Sequence, residues 1–316
     1  MTTDLETAPA HRERRTIVVG VDGSAPSRLA LKWAADEAVL RDACLRVVHA
    51  GAERRAAHPG SAEGGRKWSA PSARVLDDAV GLVTTRHPDL AVRAEILGQS
   101  APRALVGASE EADLLVVGAR GRGGFTGLLL GSVSQQCIQH ARCSVAVVRS
   151  DPDSPDPSSS ERRIVVGVDG SAGSDGALRW ALHEAVCRSA VVEAVHAWQF
   201  PPVGSFVVAP AEGYEVGAAT IVGAARAHAE EWMPGARLEA GSRFGPAVPE
   251  LLRASEHAEL LVLGARGRGG FHELLVGSVG QQCANHSSCP VVVVRDPVRE
   301  AATAVRHEPT DVTRAT

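Results

Sequence analysis

Apolar residues in this chain come in short runs, separated by stretches where they recur every three or four positions. Runs such as Ile17–Val21 and Leu114–Val117 have the Val/Ile/Leu character of strands buried on both faces. The stretch Ser27–Arg41 has the spacing of an amphipathic helix. In order, the pattern predicts a strand at Ile17–Val21, a helix at Ser27–Arg41, and a second strand ending at His49. A polar, Gly- and Pro-containing stretch (Gly51–Pro71), a helix and a third strand (Ala91–Leu97) follow. A short helix then leads to the strand Leu114–Val117, a glycine loop, a helix from Ser132 and a last strand, Val145–Arg149. The series then repeats: Ile164–Val168, helix Ser174–Arg188, a strand ending at His196, the polar stretch Phe200–Gly213 and a helix. It ends with the strands Arg237–Ala240 and Leu260–Leu263, a helix from Ser278 and the strand Val291–Arg295. Strands alternating with helices imply right-handed crossovers and a parallel sheet covered on both faces.

The repetition extends to the wording. VVGVDGSA stands at Val18–Ala25 and again at Val165–Ala172; ARGRGGF stands at Ala119–Phe125 and again at Ala265–Phe271. GSVSQQC at Gly131 matches GSVGQQC at Gly277. The chain therefore reads as a tandem duplication. Its parts are a disordered N-terminus (1–14), a first domain (15–150), a Pro/Ser/Asp linker (151–161), a second domain (162–296) and a disordered tail (297–316).

Composition sharpens this picture. A length of 316 residues suits two domains. Aromatics make up 3%, so the cores must be aliphatic. The net charge is −4, and no basic patch interleaved with aromatics exists, which argues against nucleic acid as a partner. No run of about 18 apolar residues predicts a membrane helix, and the polar N-terminus is no signal peptide. Six cysteines across two large domains make no disulfide framework, so a reducing cytoplasm is expected.

The chemistry concentrates at the glycines. Gly118, Gly121, Gly131 and Ser132 spell G-x2-G-x9-G-S, and Gly264, Gly267, Gly277 and Ser278 spell it again. A strand, a glycine loop and a helix start form an anion site from backbone N–H groups and the helix dipole. A tight turn with an N-cap is the competing reading of each copy alone. No lysine precedes Ser132 or Ser278, so this is not a Walker A loop. The dinucleotide spacing fails at Thr126 and His272. Asp22 and Asp169 end the first strand of each half, where a carboxylate can meet a ligand or cap the Asp-Gly-Ser turn. Gly20 and Gly167 sit mid-strand, which either close ligand approach or helix packing explains. Arg120, Arg122, Arg266 and Arg268 flank the glycines, with Gly123 and Gly269 beside them, and guanidinium forks suit phosphate.

His49 and His196 read as strand-end histidines with backbone hydrogen bonds. Cys137-x2-His140-x2-Cys143 and Cys283-x2-His286-x2-Cys289 read as buried structural cysteines, since neither set offers a fourth zinc ligand. No nucleophile elbow, H-E-x-x-H or paired carboxylates mark a catalytic site. Asp22 and Asp169, single carboxylates, could hold Mg²⁺ only together with a nucleotide's own oxygens.

VVGVDGS, GARGRGGFTGLLLGSVS and the final CSVAVV and CPVVVV resemble the universal stress protein family over nearly all of Arg15–Arg295. The resemblance implies two five-stranded, doubly wound parallel sheets of order 3-2-1-4-5, a Rossmann-like, adenine nucleotide alpha hydrolase-like α/β fold with ATP in each crevice. It places Asp22 and Asp169 at the adenosine, and Ala50 and Ala197 at the adenine through their backbones. Gly118, Gly121, Gly131, Ser132 and Val133 would wrap ribose and phosphates, as would Gly264, Gly267, Gly277, Ser278 and Val279. Val145–Val148 would pair with Val291–Val294 as an internal pseudo-dimer, with a further homodimer open. The sites would differ where Thr126-Gly127 faces His272-Glu273. The expected role is an ATP-binding regulatory protein of the stress response, acting on an unknown protein partner. A slow ATP-hydrolysing or adenylyl-transferring enzyme, or a scaffold for another adenine nucleotide such as cyclic AMP, are the alternatives.

Overall fold

The apolar runs become the strands, and in the computed structural model they lie in one continuous ten-stranded sheet. The structure describes residues 15–51, 69–121, 129–150, 161–200, 211–267 and 276–295. The first half contains β1 (Thr16–Gly20), α1 (Ala25–Leu40), β2 (Cys44–Ala50), α2 (Ala70–Arg86), β3 (Val92–Leu97), α3 (Ala101–Ala108), β4 (Leu114–Gly118), α4 (Ser132–His140) and β5 (Ser144–Val148). A short 3₁₀ turn, Ser109–Glu111, precedes β4. The second half repeats the series: β6 (Arg163–Gly167), α5 (Ala172–Arg188), β7 (Val191–Trp198), α6 (Ala211–Trp232), β8 (Leu238–Phe244), α7 (Ala247–Ala254), β9 (Leu260–Gly264), α8 (Ser278–His286) and β10 (Val291–Val294).

The strand order is β3-β2-β1-β4-β5-β10-β9-β6-β7-β8. Each half is parallel throughout, and the halves join antiparallel, with Val291 opposite Val147 and Val293 opposite Val145. The α/β class, the 3-2-1-4-5 order and the internal pairing of the last strands all match the expectation. The central strands are buried on both faces, as parallel sheets require: β4, β5 and β10 are buried along their whole lengths. The edge strands β3 and β8 carry exposed residues instead. On each face of the sheet one apolar cluster runs through both halves.

Two expectations need correction. Helices α1 and α5 start two residues earlier than the apolar spacing suggests. Ser24 and Ser171 cap them, each accepting a hydrogen bond from the backbone N–H three residues on. Strand β8 runs on to Phe244 because it stays in register with β7 up to the pair Trp198–Phe244, beyond the point where its hydrophobic pattern stops.

The halves also meet through buried charge. Arg188 binds Glu37 of the other half, its own Glu184, and Glu259 at 2.5 Å. Arg41 binds Glu37, and Glu184 of the other half at 2.5 Å. Glu37 and Glu184 are 0% and 1% exposed, so the arginines are what make their burial tolerable. Each arginine also lies over a tryptophan of the opposite half: Arg41 is 4.7 Å from the Trp180 ring and Arg188 is 5.8 Å from that of Trp33.

Candidate functional site

Strand β1 pairs with β2 on one side and β4 on the other, so the strand order reverses at its edge. Beyond the carboxyl ends of β1 and β4 opens a crevice, the usual ligand position in such sheets. Its first wall is the turn after β1. Gly23 has φ +80°, and the Asp22 carboxylate accepts the Ser24 N–H at 2.9 Å through Oδ1. The turn-capping reading of Asp22 is therefore real, and it leaves Oδ2 pointing at Gly121. A Cβ on Gly121 would stand 2.7 Å from that oxygen. The repeat does the same, with the Gly267 position pressed against Asp169 Oδ2 and Ser171 N–H bound to Asp169 Oδ1 at 2.9 Å. Two motifs far apart in sequence thus form a single wall.

Gly118 ends β4 against the first turn of α1, where a Cβ would stand 2.7 Å from Pro26 O. Gly264 meets Gly173 O the same way, at 2.5 Å. Gly131 N–H donates to Ala119 O at 2.7 Å and closes the loop, as Gly277 does onto Ala265 O at 2.7 Å. Gly131 and Gly277 are the N-caps of α4 and α8, with no side chain capping either helix. Ser132 and Ser278 are therefore the first residues inside these helices, and the glycine N-caps offer no side-chain oxygen to the orphan N–H groups of the first turn.

The residues of that first turn line a cavity of about 430 Å³ in the first half. Gly20, Asp22, Ala50, Gly118, Gly121, Gly131, Ser132 and Val133 all line it, with Arg120 beside them. Val48, Ala101 and Leu105 add apolar lining. Sequence reasoning missed Ala101 and Leu105, because α3 lies between the motifs and carries no marker of its own. Leu105 also accounts for Gly20, since a Cβ there would stand 2.7 Å from Leu105 Cδ1. Gly167 meets Leu263 Cδ2 at the same distance. A Cβ at either position would therefore push a leucine side chain out of its place.

His49 Nδ1 donates to Val21 O at 2.7 Å, and His196 Nδ1 to Val168 O at 2.8 Å, the backbone bonds expected of strand-end histidines. His49 also borders the cavity. Ser134 Oγ, inside α4, donates to Gly118 O at 2.6 Å and ties the helix to the strand. Sequence reasoning missed it, although GSVS against GSVG was visible in the repeat.

In the second half Gly167, Asp169, Ala197, Gly264, Gly267, Gly277, Ser278 and Val279 occupy the corresponding places at the ends of β6, β7 and β9 and the start of α8. Arg122, Gly123, Arg268 and Gly269 lie outside the described residues, as does the Thr126-Gly127 and His272-Glu273 contrast. The cysteine sets are buried thiols: burial pushes Cys137, Cys143 and Cys283 up to about 12, and raises Cys289 as well. His140 is exposed on the helix that carries Cys137.

The family described as Universal stress protein family matches residues 13–149 and 161–295. A universal stress protein of Mycobacterium tuberculosis H37Rv is 34% identical over 286 residues, covering 89% of this chain and 96% of that one. Another from the same strain is 31% identical over 294 residues, covering 90% and 98%. Among solved structures, a universal stress protein from Archaeoglobus fulgidus superposes with a TM-score of 0.56 at 19% identity, covering 90% of this chain and 99% of that one. A protein of unknown function from Pseudomonas aeruginosa gives 0.62 at 17%, covering 94% and 98%. At these identities the two structures speak for the fold alone. No helix among the described residues is long and apolar enough to cross a membrane.

Proposed function

The chain belongs to the universal stress protein family, and we propose that it holds an adenine nucleotide, ATP in particular, in the crevice of each half and works as a nucleotide-dependent regulator of the stress response. The observation that carries this reading is the cavity itself. Its lining includes the glycine-capped start of α4 and Arg120, which suit phosphates. It also includes Val48, Ala101 and Leu105, which suit a base and sugar. The Asp22 carboxylate lines the same cavity. A carboxylate has about four lone-pair sites, so it can serve its turn and also meet a ribose hydroxyl or an amino group. Mg²⁺ would enter on the nucleotide's own oxygens.

Regulation fits this site better than turnover does. Asp22 is engaged in its turn, and His49 Nδ1 in its backbone bond. Among the described residues, no second carboxylate is bonded to the His49 ring to relay it as a base. The units 15–150 and 162–296, joined by 151–161, would act together in the cytoplasm on a protein partner.

The test uses chain stripped of nucleotide. ATP at 100 times its Kd should stabilise the fold by about 2.7 kcal/mol per site, and Asp22→Ala should weaken that response. No ATP-dependent thermal shift, together with an indifferent Asp22→Ala, would sink the reading. Turnover above about 1 s⁻¹ would favour the enzyme instead.

A further inference from the structure

The arginine that follows the last strand of each half does its work in the other half. Arg149, just after β5, donates from Nη2 to Ala284 O and Asn285 O, each at 2.9 Å, in the last turn of α8. Arg295, just after β10, donates from Nη2 to Ile138 O at 2.8 Å and Gln139 O at 2.7 Å, in the last turn of α4. Last-turn carbonyls have no partner inside their own helix, and a cation there also meets the negative end of the dipole. Helices α4 and α8 are the ones whose glycine-capped starts frame the crevices. Nine residues span about 13 Å, so each crevice's helix is held at its far end by an arginine of the other half.

A second observation links one of these caps to a crevice wall. Gly118 pairs with Val148, and Ala119 N–H donates to Val148 O at 2.9 Å, so Arg149 follows beside Arg120, which borders the first cavity. Burial, and after it the Arg120 charge, hold the Arg149 guanidinium below its ordinary pKa. Two like charges thus share one neighbourhood, with the first crevice on one side and the end of α8 on the other.

We propose that the two crevices are coupled through these exchanged arginine caps. An anion in the first crevice neutralises Arg120, lets Arg149 bind the α8 carbonyls more firmly, and so stiffens the helix start of the second crevice. By linkage, filling the second crevice tightens the first by the same factor. The inference rests on the nucleotide reading above. It assigns Arg149 and Arg295 a positioning role at sites they do not touch.

The experiment separates the two ideas. Gly121→Val closes the first crevice against Asp22, and Gly267→Val closes the second against Asp169. Titrating each variant with ATP gives the affinity of one site alone. If the sites are independent, the unaltered chain gives the sum of the two curves. Coupling predicts binding about fivefold tighter than that sum. Adenosine, which carries no phosphate to meet Arg120, should give the plain sum. Arg149→Met should return the ATP curve to the sum, and Arg149→Lys, which keeps the charge, should retain most of the excess. An unaltered chain whose ATP curve superposes on the sum overturns the coupling and leaves nucleotide binding intact. A chain that binds ATP in neither crevice overturns both. The comparison of ATP with adenosine on the unaltered chain stands even if an Arg149 variant fails to fold.

Discussion

The first crevice ties its helix to its strand with a hydroxyl, and the second does not. Ser134 reaches Gly118 O at 2.6 Å, whereas the matching position in α8 is Gly280. The outer edges diverge as well. Where the first half has Gly51 and Gly98, the second has Trp198 and Phe244, packed ring to ring at 5.1 Å and joined by Phe200 and Tyr214. The seam between the halves behaves in the opposite way. Glu37 and Glu184, Arg41 and Arg188, Trp33 and Trp180, and Arg149 and Arg295 are pairs of identical residues with exchanged partners. Apart from the extra bond of Arg188 to Glu259, a two-fold seam makes these residues answer to their own copies, as an isologous dimer interface does. A crevice rim answers only to what its own half binds, so it is free to change.

The strongest way to break this contrast is to cut the seam. Glu37→Ala should cost about 3–5 kcal/mol, because it leaves two buried guanidinium groups short of a partner. Glu184→Ala should cost the same within about 1 kcal/mol if the seam is symmetric in energy as well as in geometry. Urea unfolding of both variants checks this, and a large difference would mean that one half carries the joint.

The seam also predicts a pH dependence. Burial, working against Arg41 and reinforced by Glu184, pushes Glu37 up to about 7. Glu184 is held low despite its burial, by Arg188 and then Arg41. Glu184 raises Glu37 while Glu37 helps to hold Glu184 low, so Glu37 is the carboxyl that carries a proton. A folded pKa above the unfolded one contributes stability that is complete below about 4.5 and lost as pH rises through about 7. Glu184 works in the acid direction, its contribution being lost only as pH falls below the ordinary carboxylate range. Between pH 6 and pH 8 the chain should therefore lose stability, and Glu37→Gln should flatten that slope. A urea midpoint that rises over this interval would refute the proton on Glu37.

The crevice was legible in the sequence and the seam was not. Repetition of the glycine spacing and of GVDGS placed both motifs at one sheet end, and the contact between Gly121 and Asp22 shows why they recur together. The seam had a signal of the same kind, since Glu-Ala-Val-x-Arg stands at Glu37–Arg41 and again at Glu184–Arg188. It reads as an exposed i,i+4 ion pair, because charged side chains are rarely buried and helix surfaces often carry such pairs. Only the meeting of two copies turns it inward, and a one-dimensional pattern does not contain that meeting. Gly20 shows a different limit. Its mid-strand position called for a close neighbour, and the structure supplies Leu105 from α3, an element with no motif of its own.

The finest test exchanges the residue that separates the crevices. Ser134→Gly removes a buried hydrogen bond and puts a glycine inside a helix, each worth about 1 kcal/mol. Gly280→Ser should do the reverse. The nearest atoms to a Cβ there are Val276 Cγ1 and Val293 Cγ2 at 3.8 Å, so the side chain fits. Gly264 O lies 3.9 Å from that Cβ, within reach of a serine hydroxyl and equivalent to the Gly118 O that Ser134 binds. If the bond holds the helix start in its binding position, about 1 kcal/mol corresponds to roughly a fivefold change in affinity. Ser134→Gly should weaken ATP binding in a chain whose second crevice is closed, and Gly280→Ser should strengthen it in a chain whose first crevice is closed. Equal stability changes with no change in either affinity would make the hydroxyl a matter of packing alone, and the difference between the crevices would then have to lie in their outer edges.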